Sequence, residues 1–368
     1  MSKFIRVAEG AITTREAGTA TAVAVGPRCA VTDEGEIVCS FMVQAATGLN
    51  DFKPMLARSN DGGTTWSEPR LIWPHLKERY SIFGSISRSP KNEMFFYGTR
   101  TIIDHPGESF WCDATQGLKQ NELIWSRSHD DGRTWLEPAP IPIPTPGSAE
   151  APGAMCIARN GDWHACYAPY NTFDPRLVVD RNQVMLLSSS DQGGTWRHTA
   201  MMRFSRTYAT GAEAWVIELT DRRLLGTCWN LNQQDGSDFP NAYALSADGG
   251  RRWTPVRSTG IMGQSTALAP LPDGRALFVY NQRKHGKIGV WLAAVKPTAD
   301  DFGIETNEVV WHAATPNVSG ADTAHSNWTD YSFGEPSVTC LPDGELLVSL
   351  WCMQPSGAGI RYVKLRTA

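Results

Sequence analysis

Ser59-Asn60-Asp61-Gly62-Gly63-Thr64-Thr65-Trp66 decides the fold because it recurs three times, as Ser128-His129-Asp130-Asp131-Gly132-Arg133-Thr134-Trp135, Ser189-Ser190-Asp191-Gln192-Gly193-Gly194-Thr195-Trp196 and Ser246-Ala247-Asp248-Gly249-Gly250-Arg251-Arg252-Trp253. Each copy reads S-x-D-x-G-x-T-W, and only Arg252 departs from the Thr. The chemistry is that of a tight corner between strands. Asp folds its carboxylate onto following backbone N–H groups, Gly supplies positive φ, and Trp covers the turn. Four copies at spacings of 69, 61 and 57 residues mark these aspartates as scaffold rather than catalytic groups.

Working outward, a second element recurs with the first: an apolar strand, a D-G-type turn and a returning apolar strand. It runs through Asp33 to Gly35, Asp221, Asp273-Gly274 and Asp343-Gly344, with weaker versions at Ser85 to Phe95 and Ala154 to Ala165. Six units of about four strands each suit one β-propeller domain over residues 1–368. Short strand-like runs separated by 33 Gly and 23 Pro make the chain all-β. Little chain follows Ile360 for a last strand, so the stretch Phe4 to Thr14 is expected to close the ring and remove an exposed edge.

The repeat also locates the working face. Turns after the first and third strands of each unit share one side of the disk. The other side collects the starts of the inner strands and the long insertions Gln44 to Lys53, Ile102 to Asn121, Ala168 to Asn182, Asn230 to Pro240 and Ala313 to Gly334. Long loops on a rigid scaffold are where binding and catalysis concentrate. Nine residues before the turn residue lies the opening of each inner strand. Gly344 leads to Glu335, Arg222 leads to Glu213, and Glu150 falls within two residues of the same place in the third unit. A carboxylate at a strand start can simply brace neighbouring loops, but two at one register suit glycoside hydrolysis, in which one carboxyl protonates the leaving oxygen and another attacks carbon or activates water.

The repeats resemble the Asp-box, or BNR, repeats of the sialidase superfamily of β-propellers, across most of the chain. That resemblance implies a six-bladed propeller acting on glycans. It makes Glu213 similar to the family's assisting glutamate and Asp51 similar to its acid/base. Elsewhere the pattern departs. Val25-Gly26-Pro27 stands where the family has Arg-Ile-Pro, Trp229 stands at an expected arginine, and Glu335 stands at the tyrosine position, with Tyr331 four residues earlier. Paired glutamates also occur in arabinan-cleaving members of the superfamily.

Other candidates for contact with substrate are Arg79, Arg100, Arg206 and Arg283, whose convergence would imply an acidic sugar. Trp111, Trp215, Trp229 and Trp351 are candidate platforms for sugar faces. His105 and His325 lie in pocket-side loops and would serve an elimination mechanism, whereas His164 sits in a strand. The expected activity is exo-acting cleavage of a terminal glycosidic bond in an acidic or furanose-containing glycan. The alternatives are a true sialidase with displaced arginines, a lyase or rhamnosidase-type enzyme on a uronate glycan, and a non-catalytic glycan-binding propeller. No cofactor is expected, and no His/Asp/Glu set has metal-ligand spacing.

A formal net charge of −4 gives no basic footprint for nucleic acid. No apolar run approaches the roughly 20 residues of a membrane span. The start Met1-Ser2-Lys3-Phe4-Ile5-Arg6 has no apolar leader core, so a cytoplasmic location is expected. The eight cysteines, at 29, 39, 112, 156, 166, 228, 340 and 352, form no C-x-x-C pair and are expected as small buried thiols, with a Cys29–Cys39 bridge as the alternative.

Overall fold

A computed structural model describes residues 3–320 and 325–367. The chain forms six antiparallel sheets arranged as the blades of a propeller, each starting with its innermost strand. Blade one runs through Val23–Val31, Ile37–Gln44, Lys53–Ser59 and Arg70–Leu71, and blade two through Tyr80–Arg88, Met94–Ile102, Asn121–Ser128 and Ala139–Ile141. Blade four uses Ala209–Glu218, Leu224–Asn232, Ala242–Ser246 and Arg257–Ser258. Blade five uses Thr266–Pro270, Ala276–Gln282, Gly289–Val295 and Ile304–His312.

Blade three differs at its inner edge, where the strand is split into Ser148–Glu150 and Cys156–Ile157, both paired with Trp163–Tyr170. Pro152 sits in the gap and has no N–H for the ladder. Gln183–Ser189 and Arg197–Arg203 complete that blade.

Blade six is assembled from both ends of the chain. Phe333–Cys340, Leu346–Gln354 and Gly357–Thr367 are followed by the N-terminal strand Phe4–Arg15, whose register runs from Phe4 opposite Thr367 to Arg15 opposite Ala358. Closure therefore uses the strand expected for it.

The four Asp boxes build one corner in four places, between the third and outer strands. Asp61 accepts from the backbone N–H groups of Thr64 and Thr65 at 3.0 and 2.9 Å and from the Thr65 hydroxyl at 2.6 Å. The Trp66 indole N–H donates to the Gly63 carbonyl at 3.0 Å, which fastens the ring over the turn. These bonds favour the charged carboxylate and hold Asp61, Asp130 and Asp191 down to about 2. Arg252 fits the pattern chemically, because its Nε donates to Asp248 Oδ2 at 2.9 Å where the other boxes use the Thr hydroxyl.

Apolar strand faces pack blade against blade. One such core joins Leu277, Phe278 and Val279 of blade five to Val348 and Leu350 of blade six. All eight cysteines are thiols, and Cys29 lies directly across the ladder from Cys39. Cys340 departs from the expected burial and is exposed.

Candidate active site

The inner strands of blades one, four and six share a bulge at one register. Pairing with the second strand is interrupted between Val25 and Arg28, between Ala212 and Trp215, and between Gly334 and Ser337. The left-handed residue of each bulge is Gly26 (φ 62°), Glu213 (φ 47°) and Glu335 (φ 43°). Glycine takes this conformation freely. A glutamate there costs on the order of 1 kcal/mol or more and persists only where its surroundings fix it.

The surroundings are explicit. The Glu213 backbone N–H donates to both carboxylate oxygens of Glu150, at 3.0 and 2.9 Å, and Ser265 Oγ donates to Glu213 Oε1 at 2.7 Å. Beneath them, Arg28 Nη1 donates to the Pro27 and Glu335 carbonyls at 2.7 and 2.9 Å, with its guanidinium 5.0 Å over the Trp215 ring.

Glu150, Glu213 and Glu335 all line one cavity of about 240 Å³ over the axis. Aromatic rings are prominent in its wall, among them Phe52, Phe110, Trp111, Tyr170 and Trp328, with Lys119 and Arg283 as the cations. The face is the one carrying the inner-strand starts and long insertions, opposite the Asp-box corners.

Burial and mutual repulsion set the protonation of the trio. Burial, then the Glu213 charge, pushes Glu150 up to about 8. Burial and the same Glu213 charge push Glu335 up to about 7, against the pull of Arg28 and the Gly26 amide. Burial also raises Glu213, opposed by the Ser265 hydrogen bond, Arg283 and Arg28. At neutral pH the three carboxyls therefore retain protons between them and titrate as a unit.

Arg283 forms the opposite wall. Its Nε and Nη2 donate to the Phe333 carbonyl at 3.1 and 2.7 Å, and its guanidinium lies 3.8 Å over the Tyr331 ring. Arg283 Nη1, the Tyr331 hydroxyl and Trp351 Nε1 are buried donors with no partner among the described residues, and all three residues line the cavity. Trp229 lines it too, with its indole N–H bonded to Asp238 Oδ1 at 3.0 Å.

Several sequence candidates lie elsewhere. Asp51 is absent from the cavity wall, because its Oδ2 accepts from the Ala45 N–H at 3.1 Å and ties down its own loop. Arg100 pairs with Glu122 at 2.7 Å. Arg79 and Arg206 are exposed over Tyr80 and Phe239, and none of these three arginines lines the cavity. His105 is also exposed, 3.4 Å from Glu108. Trp215 sits under the floor rather than in the wall. His325 opens a short 3-10 helix, and its side chain lies outside the described residues.

The count that found Glu213 and Glu335 would have found Ser265 as well, nine residues before Gly274. Arg28 lies two residues beyond the corresponding Gly26. Asp238 carries no spacing of its own, since it bonds Trp229 across a loop of its blade and Gln264 and His285 from another blade.

Comparison with known proteins matches residues 109–305 to the model of the BNR repeat-like domain, more than half of the chain. The chain belongs to the BNR repeat-like family. A sialidase of Bacteroides fragilis is 25% identical over 243 residues, a match covering 60% of this BNR chain and 41% of that protein. The match thus spans about two-fifths of that relative's length. Among solved structures, a Dyadobacter fermentans protein of unknown function superimposes with a TM-score of 0.77 at 21% identity over 99% of both chains. The NanB sialidase of Streptococcus pneumoniae gives 0.64 at 14% identity, covering 96% of this chain and 70% of that one. An α-L-arabinanase of Penicillium chrysogenum gives 0.64 at 13% identity over 98% of both chains. These likenesses support the sialidase-like six-bladed BNR propeller.

Proposed function

We propose that this BNR propeller is an exo-acting glycoside hydrolase that removes a terminal sugar acid from a glycan. One observation carries the proposal: three carboxyls from three blades converge in one aromatic cavity. Glu150, buried and facing the Glu213 charge, is raised to about 8, holds its proton and acts as the acid on the leaving oxygen. Glu335 attacks the anomeric carbon or activates water, and Glu213 is its charge partner, held by Ser265. Asp51 is replaced as proton donor by Glu150, because Asp51 does not reach the cavity wall.

The cavity of about 240 Å³ is small for a ligand site and suits a chain end better than a run of sugars. Unpartnered donors on Arg283, Tyr331 and Trp351 favour a substrate carboxylate at that wall. A second reading, cleavage of a neutral arabinoside end, draws on Glu335 standing where the sialidase pattern has tyrosine. Incubation with end-labelled uronate, ulosonate and arabinofuranoside oligosaccharides separates the readings. Release of a terminal acidic sugar supports the first and release of arabinose the second. Binding without product overturns both.

A further inference from the structure

We propose that Arg28 is the positioning residue of this site: from beneath the floor it clamps the bulge carrying Glu335 and directs negative charge toward Glu335 and Glu213 rather than Glu150. The inference rests on the hydrolase reading for its consequence in turnover, but its physical content does not.

Arg28 is 2% exposed and lies below the carboxylates, away from the mouth through which substrate enters. Its Nη1 bridges two backbone carbonyls, of Pro27 in the blade-one bulge and Glu335 in the blade-six bulge. Two left-handed turns on neighbouring blades are thus tied by one guanidinium, and Trp215 of blade four supplies the ring under it. A buried cation without a counter-charge is costly. Here the counter-charges that act on it are Glu335 first and Glu213 second.

Other groups face the trio from the remaining elements. Arg283 of blade five acts on Glu213 and Glu335, Arg181 and Tyr170 of blade three neighbour Glu150, and Tyr331 adjoins Arg283. Arg28 thus acts on Glu335 and, after Arg283, on Glu213, while Glu150 is set by burial, Glu213, Glu335 and Arg181. That division gives the acid and the nucleophile different preferences within one cluster.

The test compares wild type with Arg28→Met, which removes the charge, and Arg28→Gln, which removes it but keeps a donor for the carbonyls. Melting temperature is followed from pH 4 to 9. Without the cation Glu335 binds its proton more tightly, so the decline in stability, which starts near its unfolded pKa and ends at its folded one, runs on to a pH about one unit higher. The same comparison is made in a Glu335→Gln background, where the shift disappears if Glu335 is the responding group. A folded Arg28→Met or Arg28→Gln protein with the wild-type midpoint overturns the proposal, as does an equal shift in the Glu335→Gln background. If Arg28→Met does not fold, Arg28→Gln decides. Because this readout requires no turnover, finding no glycan product would defeat the hydrolase reading alone. Where turnover is found, its acid limb moves in the same direction.

Discussion

The backbone N–H of Glu213 grips both oxygens of the Glu150 carboxylate, at 3.0 and 2.9 Å. One residue therefore contributes its side chain to the centre and its main chain to the neighbouring carboxyl. The left-handed turn at Glu213 is part of the device, because it presents the amide to the axis. Side-chain substitution at Glu213 should leave this amide contact in place, whereas relaxation of its backbone should disturb two carboxyls at once.

Glu335→Gln and Glu213→Gln preserve shape and remove charge. Each is expected to lower kcat by about 100-fold or more while ligand binding persists. Single-turnover rates and titration of a substrate analogue check both halves. Near-normal kcat in both variants would rule out the assigned chemistry.

Backbone conformation gives a second expectation. At φ 47° for Glu213 and 43° for Glu335, alanine retains the unfavourable turn and glycine relieves it. Glu335→Gly should be more stable than Glu335→Ala by about 1 kcal/mol, and Glu213→Gly more stable than Glu213→Ala by a similar amount. Urea unfolding of the four variants measures this, and an alanine variant that matched or exceeded its glycine counterpart would show that the left-handed turns are not held in solution.

Stability should also depend on pH in a defined way. Glu150 and Glu335 have folded pKa values of about 8 and 7, above the unfolded value of about 4.3. The folded state binds these protons more tightly, so their contribution is complete below about pH 4 and disappears as pH rises through 7 to 8. The Asp boxes act oppositely: Asp61, Asp130 and Asp191, held at about 2, lose their contribution as pH falls through 4 toward 2. The melting temperature should peak in mildly acidic buffer and decline above it, and Glu150→Gln should flatten that alkaline decline. A curve for Glu150→Gln that parallels wild type from pH 5 to 9 would contradict the assignment.

Asp191→Ala removes the carboxylate that receives the Thr195 N–H at 2.8 Å and the Thr195 hydroxyl at 2.7 Å, on the face opposite the cavity. The melting temperature should fall, while kcat of the folded fraction stays within about twofold of wild type. Abolished turnover in a folded variant would place that corner in the chemistry.

The propeller was legible because a corner motif is local: Ser, Asp, Gly, Thr and Trp bond within eight consecutive residues, so their chemistry survives in linear text. Glu213 and Glu335 were legible for a related reason, since the turn and the bulge lie a fixed distance apart on one strand. Asp51, Arg79, Arg206 and His105 were misplaced because a loop's position does not fix the direction of its side chains. Arg100 belongs to a strand, yet Glu122 on the paired strand captures it. Arg28 escaped notice because the family pattern draws attention to the residues before Pro27, whereas the cation follows it and reaches the site from below. Convergence of Arg283, Tyr331 and Trp351 is a tertiary fact without a spacing of its own.

Blade six has a consequence for how the protein comes into being. Its inner strand bears Glu335, and its outermost strand, Phe4–Arg15, precedes the other five blades in the chain, whereas its partner Gly357–Thr367 follows them. On the ribosome Phe4–Arg15 must wait, unpaired, for the five intervening blades to emerge, and contacts of such sequence separation are slow to form. The carboxyl trio is completed by the same blade that locks the ring. A chain lacking the strands of blade six would therefore hold Glu150 and Glu213 without their third partner.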